Sequence, residues 1–140
     1  MARQGRVREA IDQYEQALRI RPDYAVAHYN LGLVLEQAGH TQEAIQQYEQ
    51  ALRLNPDDAV AHNNLGIALI QLGRPQEAME QWEQALRIKT DYADAHYNLG
   101  VALEKLGRTQ EAIQQYEKAL HIQPDFVEAR DALARARGAQ

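Results

Sequence analysis

Three histidines, each set in the same short phrase, are the residues of this sequence whose type and spacing could do chemistry. The phrase reads AHYNLG at residues 27–32, AHNNLG at 61–66 and AHYNLG again at 95–100. It places His28, His62 and His96 at intervals of 34 residues. Because a neutral imidazole can ligate a transition metal or act as a general base, the pattern first suggests a metal ladder or a row of catalytic bases.

The interval between the histidines argues against a shared metal ion. They fall on successive helices, whose axes lie about 8 to 10 Å apart, whereas ligand nitrogens must come within about 2 Å of one ion. Each histidine also shares a helical stripe with leucines, as His28 does with Leu31 and Leu35. A histidine on an apolar stripe is commonly a packing residue, so we expect these side chains to pack or hydrogen-bond within the fold.

The composition of the chain removes most other catalytic chemistry. Cysteine is absent from the sequence, which excludes disulfides, thiolate nucleophiles and cysteine-ligated metal clusters, and no serine can act as a nucleophile. The sequence also contains no HExxH motif and no phosphate-cradling glycine loop. We therefore expect no enzymatic activity, no metal and no other cofactor.

Charge and hydropathy exclude two further classes of partner. The formal net charge is -5, and no basic stripe could neutralise phosphates, so nucleic acid is not expected as a partner. No apolar run approaches the roughly 20 residues that span a bilayer, and the polar beginning MARQGRVREA does not resemble a signal peptide. The sequence predicts a soluble, cytoplasmic protein without a membrane partner.

The period of 34 residues runs through the rest of the chain. It relates small, turn-forming and aromatic residues, namely Gly32, Gly66 and Gly100; Gly39, Gly73 and Gly107; Ala44, Ala78 and Ala112; and Tyr48, Trp82 and Tyr116. A fixed period of this length is the signature of a solenoid, in which each supersecondary unit buries its apolar face against its neighbours.

Each period encodes two amphipathic helices, which we name helix A and helix B. Residues 25–38 place apolar side chains at i, i+3 and i+7, and residues 41–54 do so again after the turn at Gly39. Pro-Asp pairs at 22–23, 56–57 and 124–125 separate the units. Proline stops a helix, and we expect the neighbouring aspartate to cap the helix that follows.

A glycine lies inside every full helix A, at Gly32 and its two repeats. Glycine in a helix interior costs about 1 kcal/mol relative to alanine, so its recurrence requires a compensating gain. We expect the gain to be close contact with helix B, with Ala44 or its repeats as the small residue that faces the glycine.

These units resemble tetratricopeptide repeats, whose pattern is W-x2-L-G-x2-Y, then A-x3-F, then P. In the first full unit the positions of this pattern are occupied by His28, Leu31, Gly32, Leu35, Ala44, Tyr48 and Pro56. Histidine and leucine replace the two aromatic residues of the family's first helix. The resemblance implies an all-α fold, a right-handed α-solenoid of antiparallel helix pairs.

The repeat divides a single domain, residues 1–140, into complete and partial units. Three full 34-residue units occupy residues 25–58, 59–92 and 93–126. A lone helix B is predicted at 7–22 and a capping helix A at 127–140, with Ala134 in place of the repeated glycine. A polar terminal helix suits a cap, because the ends of an open stack must be shielded from water.

The resemblance also implies where a partner would bind, since the A helices of the family line a concave groove that takes peptides. The residues on that stripe here are Val26, Tyr29, Asn30, Leu33, Asn63, Asn64, Ile67, Asp94, Tyr97, Asn98 and Val101. Val60 shares the stripe, but we expect it to pack against the next helix A. Tyrosine and asparagine carry donors and acceptors that a dry interface would strand, which favours binding at these positions.

Asn30, Asn64 and Asn98 form a row that resembles the asparagine ladder in the repeat region of protein O-GlcNAc transferases. Such amides could hold the backbone of an extended peptide without reading its sequence. Another subset of the family grips chaperone C-termini with a clamp of Lys, Asn, Asn, Lys and Arg. The equivalent positions here match only at Asn64, and Asp94 has the wrong sign for an acidic ligand.

The sequence therefore predicts a non-catalytic interaction scaffold that binds a protein or peptide segment in the concave groove. Two alternatives stay open. The chain could self-assemble, because the helix A from Val127 and the helix B of another chain from Val7 would together make one unit and stack head to tail. It could also be the substrate-recruiting fragment of a larger enzyme.

Overall fold

The computed structural model describes residues 2–139, and this range folds as an all-α solenoid, as predicted. Its helices are α1 (Ala2–Ile20), α2 (Ala25–Gln37), α3 (Thr41–Leu54), α4 (Ala59–Gln71), α5 (Pro75–Ile88), α6 (Ala93–Lys105), α7 (Thr109–Ile122) and α8 (Val127–Gly138). Helices α2, α4, α6 and α8 are A helices, and α1, α3, α5 and α7 are B helices. Each helix packs on its neighbours in the chain, and α4 also contacts α6.

Each turn from helix A to helix B is closed by a glycine in the left-handed region. Gly39 has φ +84°, and Gly73 and Gly107 are similar. The amide of His40 donates to the Leu35 carbonyl at 2.8 Å and that of Gly39 to the Glu36 carbonyl at 3.0 Å, which is the Schellman arrangement. Only glycine adopts this φ without strain, so the repeated glycine fixes where each helix A ends.

The aspartates beside the prolines do not cap the A helices, which corrects the prediction for the turns between units. The N-cap residues are Tyr24, Asp58, Tyr92 and Phe126, each one position later than expected. Within residues 2–139, a side-chain cap on an A helix is present only at Asp58, whose Oδ1 accepts from the Ala61 amide at 3.1 Å. The helix begins at the alanine after this position, so a residue such as Asp57 lies too far back to reach its free amides.

The glycine inside helix A does permit close contact, but its neighbour is aromatic. A Cβ built on Gly32 would lie 2.5 Å from Tyr48 Cε1, and on Gly66 it would lie 2.6 Å from Trp82 Cε2. Ala44, the expected neighbour, is buried but is not among the atoms nearest the glycine. Tyr48 and its repeats are fully buried, so the glycine makes room for a ring that fills the interior of each pair.

The two partial units differ from the full ones. Helix α1 begins at Ala2 and ends at Ile20, whereas the expected range was 7–22; it ends before Pro22, which disfavours helical backbone in the preceding residue. Its Tyr14 is half-buried, while the equivalent Tyr48 is fully buried beneath its own helix A. Helix α8 buries small residues such as Ala129 and Ala132 against α7.

Candidate functional site

The candidate groove residues differ in how far they are open to solvent. Val26 is 55% exposed, and Asp94 is also exposed. Asn63 is buried, with 4% of its surface exposed. The half-buried members are Tyr29, Asn30, Leu33, Asn64, Ile67, Tyr97, Asn98 and Val101. Residues from α2, α4 and α6 thus line one face, on which aliphatic side chains remain accessible between polar ones.

Two of the three asparagines in the row are engaged between successive A helices. Asn64 Nδ2 donates to Tyr29 Oη at 2.7 Å, and Asn98 Nδ2 donates to Asn63 Oδ1 at 3.0 Å. The expectation that a dry interface would strand these polar groups is therefore wrong, since the groups satisfy one another. Asn63 is buried in this contact, so a ligand could not reach its side chain.

The first and last positions of the asparagine row, Asn30 and Ala132, differ from the two positions between them. Within residues 2–139, the side chain of Asn30 forms no hydrogen bond. At the other end Ala132 takes the place of asparagine, and the Tyr97 ring instead packs against Phe126 at a centroid distance of 5.1 Å. The amide of Asn30 is therefore the one in the row that a ligand could engage without breaking a contact between units.

The sequence interpretation left out one groove residue on the helix A stripe and two residues in the turns before α4 and α6. Val60 was expected to be packed, yet 43% of its surface is exposed. Asp58 and Tyr92 lie in the turns before α4 and α6, where the periodic pattern of the helices gives no signal. Both interact electrostatically with Tyr29 of the groove. The recurrence of Tyr24, Tyr92 and Phe126 at one position of the repeat was the available clue.

Glu36 interacts both with Tyr29 of the groove and with Tyr48 in the interior of the first unit. The hydroxyl of Tyr48 donates to Glu36 Oε1, and that of Tyr116 donates to Glu104 in the third unit. Burial raises the pKa of Glu36, and the bond from Tyr48 offsets part of this effect. In the second unit Trp82 replaces tyrosine and donates to the Asn63 carbonyl at 3.1 Å, and an isoleucine stands where the glutamate would be.

Carboxylates lie near Tyr29 and Tyr92. Burial raises the pKa of Tyr29, and the negative charges of Asp58 and Glu36 raise it further, while the hydrogen bond from Asn64 lowers it in part. Burial likewise raises the pKa of Tyr92, followed by the charge of Asp94. These carboxylates therefore act on the same stretch of the groove from three different elements.

The three histidines hold each helix A to its surroundings. Nε2 of His28 donates to the Pro22 carbonyl at 2.8 Å, and Nδ1 lies 2.8 Å from the side-chain amide of Gln47. His62 and His96 make the equivalent contacts in their units. The predicted hydrogen bonding within the stack is confirmed. Residues 2–139 contain no group of three or more potential ligands arranged to hold a metal ion.

The exposed face of α8 is poorly suited to receive α1 of a second chain. Ala134 stands at the glycine position, where a Cβ would meet the incoming Tyr14 ring as closely as in the other units. Arg137 stands at the leucine position and donates to Glu117 at 2.8 Å. Head-to-tail stacking would require the ring to overlap a methyl group and an arginine to lose its partner, so this geometry opposes it.

Comparison with known proteins identifies the class to which this fold and face belong. A model of the tetratricopeptide repeat matches residues 29–93 and 65–125, and a second model, described as TPR repeat, matches residues 2–39. The chain belongs to the tetratricopeptide-repeat family. A search of curated protein sequences finds no match. None of the helices within residues 2–139 is long and apolar enough to span a membrane.

Several solved structures share the fold over most of the chain. A crystal structure of MamA has a TM-score of 0.93 at 28% identity and covers 99% of this chain and 81% of its own. YrrB, described as a TPR protein with an unusual peptide-binding site, has a TM-score of 0.85 at 30% identity, covering 94% and 68%. The first TPR of Spaghetti (RPAP3), bound to the HSP90 peptide SRMEEVD, has a TM-score of 0.80 at 25% identity, covering 82% and 91%. The relatives thus include proteins that bind peptides.

Proposed function

We propose that this chain is a non-catalytic interaction scaffold that binds a segment of a partner protein in the groove formed by α2, α4 and α6. The observation that carries the proposal is the exposure of Val26 (55%) and Val60 (43%) at equivalent positions of adjacent A helices. Two helical turns further along the same stripe, the half-buried Leu33 and Ile67 continue the apolar surface. Burying such side chains against a ligand releases about 25 cal/mol per Å² of apolar area.

The peptide-binding relatives support this proposal at the level of the family, since two of them carry peptides or peptide sites in their descriptions. The hydrogen bonds of the asparagine row reduce the number of groove residues that are available to bind a ligand. Asn64 and Asn98 already bond to neighbouring helices, so they position the groove rather than grip a ligand. The aliphatic residues and the amide of Asn30 are the groups that remain for a partner.

The test is a selection of peptides from a random displayed library on the whole chain, followed by fluorescence anisotropy with the selected peptides. We expect Val26→Gln combined with Val60→Gln to weaken binding about tenfold, because both side chains would lose apolar contact with the ligand. Leu54→Gln is the matched control, since Leu54 is 42% exposed and lies at the end of the B helix α3. Peptides that bind the double variant as tightly as the unmodified chain would show that the groove is not the binding surface.

A further inference from the structure

The charges around the groove restrict the chemistry of its partner. Helices α2 and α4 contain no lysine or arginine, so the first two A helices contribute no cation to the surface. The carboxylates on the same stretch are Glu36 at the end of α2, Asp58 before α4 and Asp94 in the first turn of α6. Glu36 and Asp58 act electrostatically on Tyr29, which lies one helical turn from Val26, and Asp94 and Asp58 act on Tyr92. The apolar strip therefore has anionic neighbours.

The cations near this stretch do not neutralise it. Lys89 lies with Nζ 4.9 Å from the centre of the Tyr92 ring, on which the charge of Asp94 also acts. Lys105 is the last residue of α6, and Arg135 on α8 is paired with Glu104 at 3.2 Å. Arg21, in the turn before α2, lies 4.8 Å from the centre of the Tyr24 ring and pairs with Asp23 at 3.8 Å. Lys105 and Arg135 belong to the C-terminal half of the chain, so the carboxylates outnumber the unpaired cations beside the first two A helices.

We propose that the occupant of the groove is a cationic amphipathic segment, with apolar side chains on the strip of Val26 and Val60 and lysine or arginine side chains toward Asp58 and Asp94. This inference rests on the proposed function and specifies its ligand. An acidic tail would place its carboxylates against those of the groove, and like charges brought together at an interface are strongly unfavourable. A neutral segment would leave the anionic edges without partners.

Charge on the rim of a binding surface mainly steers encounter and selects among partners, while the apolar strip supplies most of the affinity. The cationic preference should therefore be visible in which peptides are selected and in how binding responds to salt. Exposed charges are screened beyond about 8 Å at physiological ionic strength, so the affinity of a cationic ligand falls as salt is added.

The experiment uses the random displayed library on the whole chain and on the Asp94→Lys variant. We expect the peptides that lose binding to the Val26→Gln and Val60→Gln double variant to be enriched in lysine and arginine. We also expect Asp94→Lys to weaken their binding about tenfold at low salt, an effect that shrinks with added salt. Glu43→Lys is the matched control, because Glu43 is an exposed acid in the first turn of the B helix α3.

The outcomes separate this inference from the proposed function. Groove-dependent peptides that are neutral or acidic, or that bind Asp94→Lys as tightly as the unmodified chain, would overturn the cationic partner and leave the groove in place. A selection that gives no groove-dependent peptides would overturn both. Circular dichroism of each variant checks that the helices are intact.

Discussion

Gly32 lies directly beneath the ring of Tyr48, so close that a Cβ on the glycine would be 2.5 Å from Tyr48 Cε1. The same relationship holds for Gly66 with Trp82 and for Gly100 with Tyr116. At the centre of each helix pair, the glycine has no side chain and the aromatic ring of helix B fills the resulting space. For alanine at the glycine position, helix propensity predicts a more stable fold, whereas packing against the ring predicts a less stable one.

Gly32→Ala should destabilise the fold by about 1 to 3 kcal/mol, because overpacking outweighs the gain in helix propensity of about 1 kcal/mol. Gly5→Ala is the control, since Gly5 lies in α1, where a Cβ would meet none of the described residues within 4 Å, and it should stabilise the chain slightly. Urea unfolding followed by circular dichroism measures both. A Gly32→Ala variant as stable as the unmodified chain would contradict the packing argument.

Asn98→Ala should cost about 1 to 3 kcal/mol, because it leaves the buried Oδ1 of Asn63 without its donor. Asn30→Ala occupies the equivalent position in the first unit, where no side-chain bond to the described residues is lost, and should change stability by less than about 0.5 kcal/mol. Denaturant unfolding of the two variants gives the comparison. Equal losses of stability in the two variants would mean that the hydrogen bond from Asn98 to Asn63 does not stabilise the fold.

The Glu36 carboxyl should make a contribution to stability that falls as pH rises. Its pKa in the folded chain is raised above the ordinary 4.5 by burial. The folded state therefore binds more protons than the unfolded state between these two pKa values, and the free energy of unfolding decreases through that interval. The measurable quantity is the difference in this free energy between the unmodified chain and Glu36→Gln at a series of pH values. This difference in the free energy of unfolding should be largest below pH 4.5 and fall above it. A difference that grows with pH would contradict a raised pKa of Glu36.

The unmodified chain should keep a constant mass near 15.9 kDa in light scattering over a wide concentration range. Ala134→Gly together with Arg130→His and Arg137→Leu gives α8 the residues found in the full A helices, and mass should then rise with concentration. Adding Tyr14→Ala to this variant removes the ring that would enter the new space, and should restore the constant mass. A rising mass of the unmodified chain would show that Ala134 does not block stacking.

The sequence was sufficient for the helices and their order, because the period repeats both the glycine that ends helix A and the apolar stripes. It was insufficient for contacts between units. Nothing in the position of Asn64 reveals that its amide meets Tyr29, since a stripe predicts which face a side chain lies on and not which atom it reaches. The exposure of Val60 was not predicted for the same reason, because a stripe does not show how much of a side chain the next helix A covers.

The bond from Asn64 to Tyr29 bears on how such an array could grow by duplication. Tyr29 and Tyr97 occupy equivalent positions in closely similar units, yet one meets an amide and the other meets the Phe126 ring. The difference comes from the next helix A and the turn before it, which carry Asn64 beside Tyr29 and Phe126 beside Tyr97. A copied unit would therefore carry its own helices intact but acquire a new junction, so a segment exchanged in an engineered array should contain helix A of one repeat together with helix A of the next.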